Sequence, residues 1–326
     1  MVMNFLGEGG TTYTLSIVDT GGRVVATTTA RKRTVPNVQI GNLSTSNTTV
    51  YYLDGDSDVR FLRPDKSTGL ATHITLRPHQ AAAFSVSPDD LRIAVSVLDY
   101  TRYPVSTRLY VEDLHGGTNH TQLFFSTNVI EWPVGWHAGR LVIALGLDAP
   151  PQNIWDGFAT AYGYHVVNAQ TGVRLFSLCT GTYSDVPVSS GGAVCIDAPT
   201  SSVATWDGQT RKLPLARKPD ATGGNCPLIG PVSPTGVIAT NVASVAQGGC
   251  SGSTIFLVAP TGGIGTHVVA TNATPIGWID ATRLVVDSSV FTNSSTPVLS
   301  IVNVSSGVST RVPAAGNFVA VLPGAL

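Results

Sequence analysis

The chain has 326 residues, of which only 12% are charged and 43% apolar, with 34 glycines and 20 prolines. Abundant Ser, Thr and Val among so many turn formers is the mixture of an all-β protein, and it leaves little room for helix. A formal net charge of -1 and the lack of a long basic block exclude the clustered cations by which proteins grip nucleic acid, so no nucleic-acid partner is expected.

Taken in chain order, the N-terminal segment offers three strands, VMNFLGE, TYTLSIVDT and GRVVATTTA, ending at Arg31-Lys32-Arg33, which reads as a solvated strand end. The start MVMNFLGEGG lacks the basic and apolar regions of a signal peptide, and no apolar run reaches the roughly 18 residues of a membrane-spanning helix. Either the protein stays in the cytosol, or an export signal or anchor lies outside this chain.

From here apolar segments begin near Val38, Ala82, Val129, Val186, Pro227, Thr274 and Phe318, about 44, 47, 57, 41, 47 and 44 residues apart. That period fits a four-stranded propeller blade. A first strand (AFSVS, IEWPVGW, PLIGPVS, PIGWI) leads through a tight turn to a second (LRIAVSV, RLVIALG, GVIATNV, RLVVDSS). A third (VRFLRPD, RLYVEDL, YGYHVVN, TIFLVAP, VLSIVNV) then leads to a fourth (ATHITL, VRLFSL, GTHVVA, STRVP). The third-to-fourth turns begin at Asp19, Asp65, Asp113, Asn168, Asp207, Pro260 and Asn303, where an Asp or Asn caps the turn and a following glycine takes the positive φ. In Ser-Pro-Asp-Asp, residues 87–90, proline presets φ and Asp89 and Asp90 bond their own backbone as a hairpin turn.

NFVAVLPG is a lone innermost strand, and it completes the blade that the N-terminal strands leave open. The expected fold is therefore all-β, one seven-bladed β-propeller of four-stranded antiparallel blades. Their ranges are 1–35 plus 315–326, 36–79, 80–126, 127–179, 180–224, 225–272 and 273–314. Six or eight blades follow if the weak 186–214 unit is read differently. SPDDLRIAVS, and more loosely SPTGVIATN, resembles the S-P-D-G turn and following strand of TolB-type, WD40-like bacterial propeller repeats. The resemblance implies a fold and an exported bacterial setting, and carries over no catalytic residue.

The second-to-third and fourth-to-first connections of a propeller share one face, and the long insertions of this chain fall in that class: 99–107, 147–161, 243–253 and 288–295. They carry Tyr100, Arg102 and Tyr103, then Asp148, Asn153, Trp155 and Asp156. With Tyr183 and Asp185, these are the candidate ligand-binding residues, because flat rings beside carboxylates and amides suit a sugar or an extended peptide. The expected function is a non-catalytic extracellular or cell-surface binding module for a protein, peptide or cell-envelope polysaccharide, acting as a monomer. The alternatives are a polysaccharide hydrolase or lyase, with Asp148, Asp156, Asp99 or Asp185 as acid and base beside Tyr100, Tyr103 or Tyr183, and a structural scaffold.

Cys179, Cys195, Cys226 and Cys250 form no C-x-x-C pair and read as disulfides, Cys226–Cys250 pinning a glycine-rich loop and Cys179–Cys195 its complement, with the other pairings open. Asp54, Asp56 and Asp58 alternate as in a calcium loop but lack its later glycine and Glu, so Ca²⁺ is the weaker reading there and no cofactor is expected. The seven scattered histidines show no metal spacing, and His137 beside Trp136 reads as packing.

Overall fold

The computed structural model describes residues 1–5, 10–34, 41–101, 104–146, 161–180, 189–197, 200–213, 230–243, 253–261, 267–292, 294, 296–324 and 326. Among these, one helical turn, α1 (Ser289–Thr292), is the sole departure from strand and turn.

Blade 1 receives β1 (Val2–Phe5), β2 (Thr12–Val18) and β3 (Val24–Arg31). Blade 2 is β4 (Leu43–Thr45), β5 (Val50–Asp54), β6 (Asp58–Leu62) and β7 (Thr68–His73). Blade 3 is β8 (Gln80–Val86), β9 (Arg92–Asp99), β10 (Ser106–Asp113) and β11 (Thr121–Ser126). Blade 4 is β12 (Ile130–His137), β13 (Arg140–Gly146), β14 (Tyr164–Asn168) and β15 (Arg174–Leu178).

Blade 5 shows β16 (Ala193–Asp197), β17 (Thr200–Ala204) and β18 (Thr210–Leu213), and blade 6 shows β19 (Ile238–Ala243), β20 (Ser253–Val258) and β21 (Ala270–Thr271). Their innermost places are marked by the single bridges Ser189–Gly192 and Val232–Ile238. Blade 7 is β22 (Thr274–Trp278), β23 (Arg283–Asp287), β24 (Leu299–Asn303) and β25 (Ser309–Arg311). Finally β26 (Asn317–Ala320) pairs antiparallel with β1, giving the order β26-β1-β2-β3 and closing the ring as expected.

Burial follows position within the blade. β9 is buried on both faces from Ile93 to Leu98 because a neighbouring blade covers each side, whereas the outermost β7 and β11 leave most side chains partly or fully exposed. The apolar residues fall into seven clusters, one at each seam. Leu109 and Val111 of blade 3 meet Trp136 and Ile143 of blade 4, for example, and Val18 and Phe318 of blade 1 meet Val285 and Ile301 of blade 7. Gly277 is required at that last seam, since a Cβ there would lie 2.1 Å from the Phe318 ring.

Several of the described turns keep their expected chemistry and others change it. Asp19, Asn168 and Asn303 cap as expected, each accepting two backbone N–H bonds through Oδ1, with Gly22, Gly172 and Gly307 at positive φ. In the Asp65 turn the left-handed residue is Lys66 (φ 72°) rather than the glycine at 69, because the turn closes one residue after it, Arg63 N donating to Ser67 O while Asp65 Oδ1 accepts Ser67 N. Asp207 caps nothing: Thr205 Oγ1 accepts Gln209 N, and the Asp207 carboxylate faces Arg140 and His137 at 3.3 Å. In the 87–90 turn Asp89 bonds Leu91 N, but Asp90 reaches across the seam to accept from Tyr51 Oη at 2.9 Å.

Candidate functional site

Seven innermost segments surround an axial cavity of about 210 Å³, lined by Ser44, Phe84, Trp132, Ser190, Gly277 and Val319 among others. Two of its walls are built alike. Trp136 Nε1 donates to Ser85 O (3.3 Å) and Trp278 Nε1 donates to Pro231 O (2.9 Å), in each case from a Gly-Trp blade to the Ser-Pro-turn blade before it.

The two mouths differ. At the short-hairpin mouth the chain itself crosses the opening: Gly324 N bonds Ser46 O (2.8 Å), Leu326 N bonds Trp136 O (2.9 Å), and His137 Nδ1 lies 2.6 Å from Leu326 O. His137 is thus a polar anchor as well as a packing residue, since its Nε2 also lies 3.3 Å from Asp207.

On the long-connection face, a charged network joins blades 1 and 2. Arg31 donates to Asp54 Oδ1 through both its backbone N and Nε (2.9 Å each) and reaches Asp58 at 3.4 Å, while His73 Nδ1 lies 2.7 Å from Asp58. Thr34 supplies its N and Oγ1 to Asp56. Burial raises the Asp54 pKa, but the Arg31 hydrogen bonds and charge outweigh it and leave the carboxyl below its usual range. The calcium candidates Asp54, Asp56 and Asp58 therefore each face a donor from the chain. Among the described residues no group of three His, Cys, Asp or Glu side chains is placed to share a metal ion.

Arg31-Lys32-Arg33 is more than a solvated strand end. Arg31 ties blade 1 to blade 2, and Arg33 turns inward, its Nη2 donating to Gly41 O (3.0 Å) and Ala82 O (2.7 Å) of blades 2 and 3. Burial pulls the Arg33 guanidinium down to about 10, against Tyr13, Tyr100 and Asp56, which raise it. Of the sequence candidates, Tyr100 is the described one: 36% exposed, its N bonded to His79 O, close to this guanidinium. Arg102, Tyr103, Asp148, Asn153, Trp155, Asp156, Tyr183 and Asp185 lie outside the described residues, as do Cys226 and Cys250. Asp99 is held as a cap by Thr101 and Gln80, whose hydrogen bonds lower its pKa, which suits an anchored carboxylate and not a proton donor.

Cys179 and Cys195 form the expected disulfide, with Cα atoms 5.0 Å apart across the seam between blades 4 and 5. One cluster with chemistry, of three residues, was not anticipated from sequence. Glu131 is buried between blades 3 and 4, 3.6 Å from His165 Nδ1, and Arg174 Nη1 lies 3.3 Å from the other ring nitrogen. They line a second cavity of about 240 Å³ with Leu109, Phe124 and Ile143. Nothing in a lone Glu and a lone His 34 residues later marks them as neighbours; they sit on the first and third strands of one blade, β12 and β14, with β13 between.

No protein-family model matches the chain, and no curated protein matches it. Several solved structures are similar to it over most of its length. A structure from a study of two prolyl endopeptidases matches 92% of this chain and 43% of its own at 14% identity (TM-score 0.46). BamB from Moraxella catarrhalis matches 94% of this chain and 83% of its own at 11% identity (TM-score 0.38). The Dos1 propeller matches 96% and 82% at 9% identity (TM-score 0.45). The chain thus spans less than half the length of the peptidase structure. At such identities and TM-scores no residue role passes from those proteins to this chain.

Proposed function

We propose that this propeller is a non-catalytic binding module that takes a peptide, protein or cell-envelope polysaccharide on its long-connection face. The observation that supports this reading is the asymmetry of the channel mouths. Residues of the chain cross the short-hairpin mouth, while Arg33 and Tyr100 stand together on the face that also receives the four long connections. A partly exposed ring beside a buried guanidinium and an acidic network offers stacking and hydrogen-bonding groups on a rigid frame. The Cys179–Cys195 disulfide supports a non-reducing setting, outside the cytosol or at the cell surface.

A thermal-shift screen of wild type, Tyr100→Ala and Trp155→Ala against envelope polysaccharides, oligosaccharides and short peptides tests the reading. The expected result is a ligand-dependent rise in Tm that both substitutions remove without lowering the Tm of the free protein. A rise that survives both substitutions would contradict it.

A further inference from the structure

We infer that the short-hairpin mouth of the channel is itself a peptide-binding site, specific for a segment with glycine two residues before leucine, and that the chain's own Gly324 and Leu326 occupy it. This site lies on the face opposite the one proposed above and stands independently of that reading.

The mouth recognises Gly324 and Leu326 as receptors recognise peptides, through the main chain for affinity and through shape for sequence. Ser46 O and Trp136 O accept from the N–H groups of Gly324 and Leu326, and His137 Nδ1 holds Leu326 O at 2.6 Å. Steric selection acts on both sides of the contact. A Cβ at position 324 would lie 1.8 Å from Thr45 Oγ1, so the bound segment must carry glycine there. A Cβ at Gly135 would lie 2.4 Å from Leu326 Cδ1, so the receptor is notched to admit a leucine side chain.

The side chains of the segment also reach three different seams. Val321 packs at the blade 7/1 seam, Leu322 at the 1/2 seam and Leu326 at the 4/5 seam, so the segment spans the opening rather than extending one blade. Its attachment is light: Pro323 is exposed and Val321, Leu322, Gly324 and Leu326 are each partly exposed. A ligand of the same form therefore competes with a tether that is fastened by few bonds but is present at high effective concentration.

The test measures binding of a fluorescently labelled LPGAL peptide by anisotropy. In the full chain Leu326→Asp places a charge in the apolar notch and frees the site; a chain ending at Pro323 is the second variant. The expected result is saturable one-to-one binding by both variants, with apparent affinity for the unaltered chain weaker by about tenfold or more because its site is filled. LPAAL should not bind, and Gly135→Leu added to either variant should abolish uptake of LPGAL. Folded variants that ignore LPGAL, or that bind LPAAL equally well, would overturn the proposal. So would failure of both variants to fold, because the segment would then be part of the fold and not an occupant.

Discussion

Trp136 and Trp278 show how a side chain is fixed by the repeat and not by its own neighbours in sequence. Each donates its indole N–H to the innermost strand of the preceding blade, at the residue two before the serine that opens the Ser-Pro turn. Replacing either by Phe keeps most of the apolar contact but leaves a buried carbonyl without its donor, so each substitution is expected to cost about 1–2 kcal/mol in urea unfolding. The Ser-Pro-Asp-Asp turn was legible because its bonds are local: Ser87 Oγ accepts Arg92 N and Asp89 accepts Leu91 N. The Asp90 bond to Tyr51 was not, nor was the inward turn of Arg33 onto Gly41 O and Ala82 O, because those partners belong to other blades.

The same scale sets the acid response. Hydrogen bonds from Thr101 and Gln80 lower the pKa of Asp99, and the Arg31 contacts bring that of Asp54 down against its burial. A carboxylate depressed in the folded state stabilises the fold above its unfolded pKa, near 4, and loses that contribution as pH falls through the folded value. Tm is therefore expected to hold between neutrality and about pH 5 and to fall below about pH 4. Asp54→Asn should lower Tm at pH 7 and make the acid limb shallower, by scanning calorimetry across that range.

At the scale of the element, strand order was readable in five sheets because each strand alternates or runs apolar at the blade period. Blades 5 and 6 were harder. The second to fourth strands of blade 5 carry polar residues such as Ser201, Ser202, Arg211 and Lys212, and the named fourth strand of blade 6 is confined to Ala270–Thr271. A weakly apolar blade gains from a covalent tie to its neighbour, and the Cys179–Cys195 bridge supplies one over a separation of 16 residues. Changing both cysteines to serine is expected to lower stability by about 3 kcal/mol, read as a fall in the urea midpoint with unchanged slope. In the 54–58 turn, Arg31, Thr34 and His73 already hold the carboxylates, so added Ca²⁺ is expected to leave Tm unmoved. A calcium-dependent rise removed by Asp56→Asn would restore the calcium reading.

For the whole molecule, the repeat period foretold a ring and the two chain ends foretold how it closes, since each end lacked what the other held. The seven seam clusters make the blades one cooperative unit, with β26 against β1 as the last joint. Phe318→Ala at that joint should cost about 3–5 kcal/mol while unfolding stays a single transition, because every blade is covered on both sides by others. The candidate site was proposed from sequence as a face, and of its ligand-binding residues Tyr100 is the one described. Connection lengths mark which mouth carries variable loops, whereas the contacts that assemble Arg33, Asp56 and Tyr100 are set by packing between blades.

Hydrogen exchange with and without a ligand found by the thermal-shift screen tests the long-connection-face reading most directly. Slowed exchange in 99–107, 147–161, 243–253 or 288–295, with the hairpins at 87–91, 138–139 and 279–282 unchanged, is the predicted result. Protection confined to those short hairpins would contradict that reading and leave the short-hairpin mouth as the binding face.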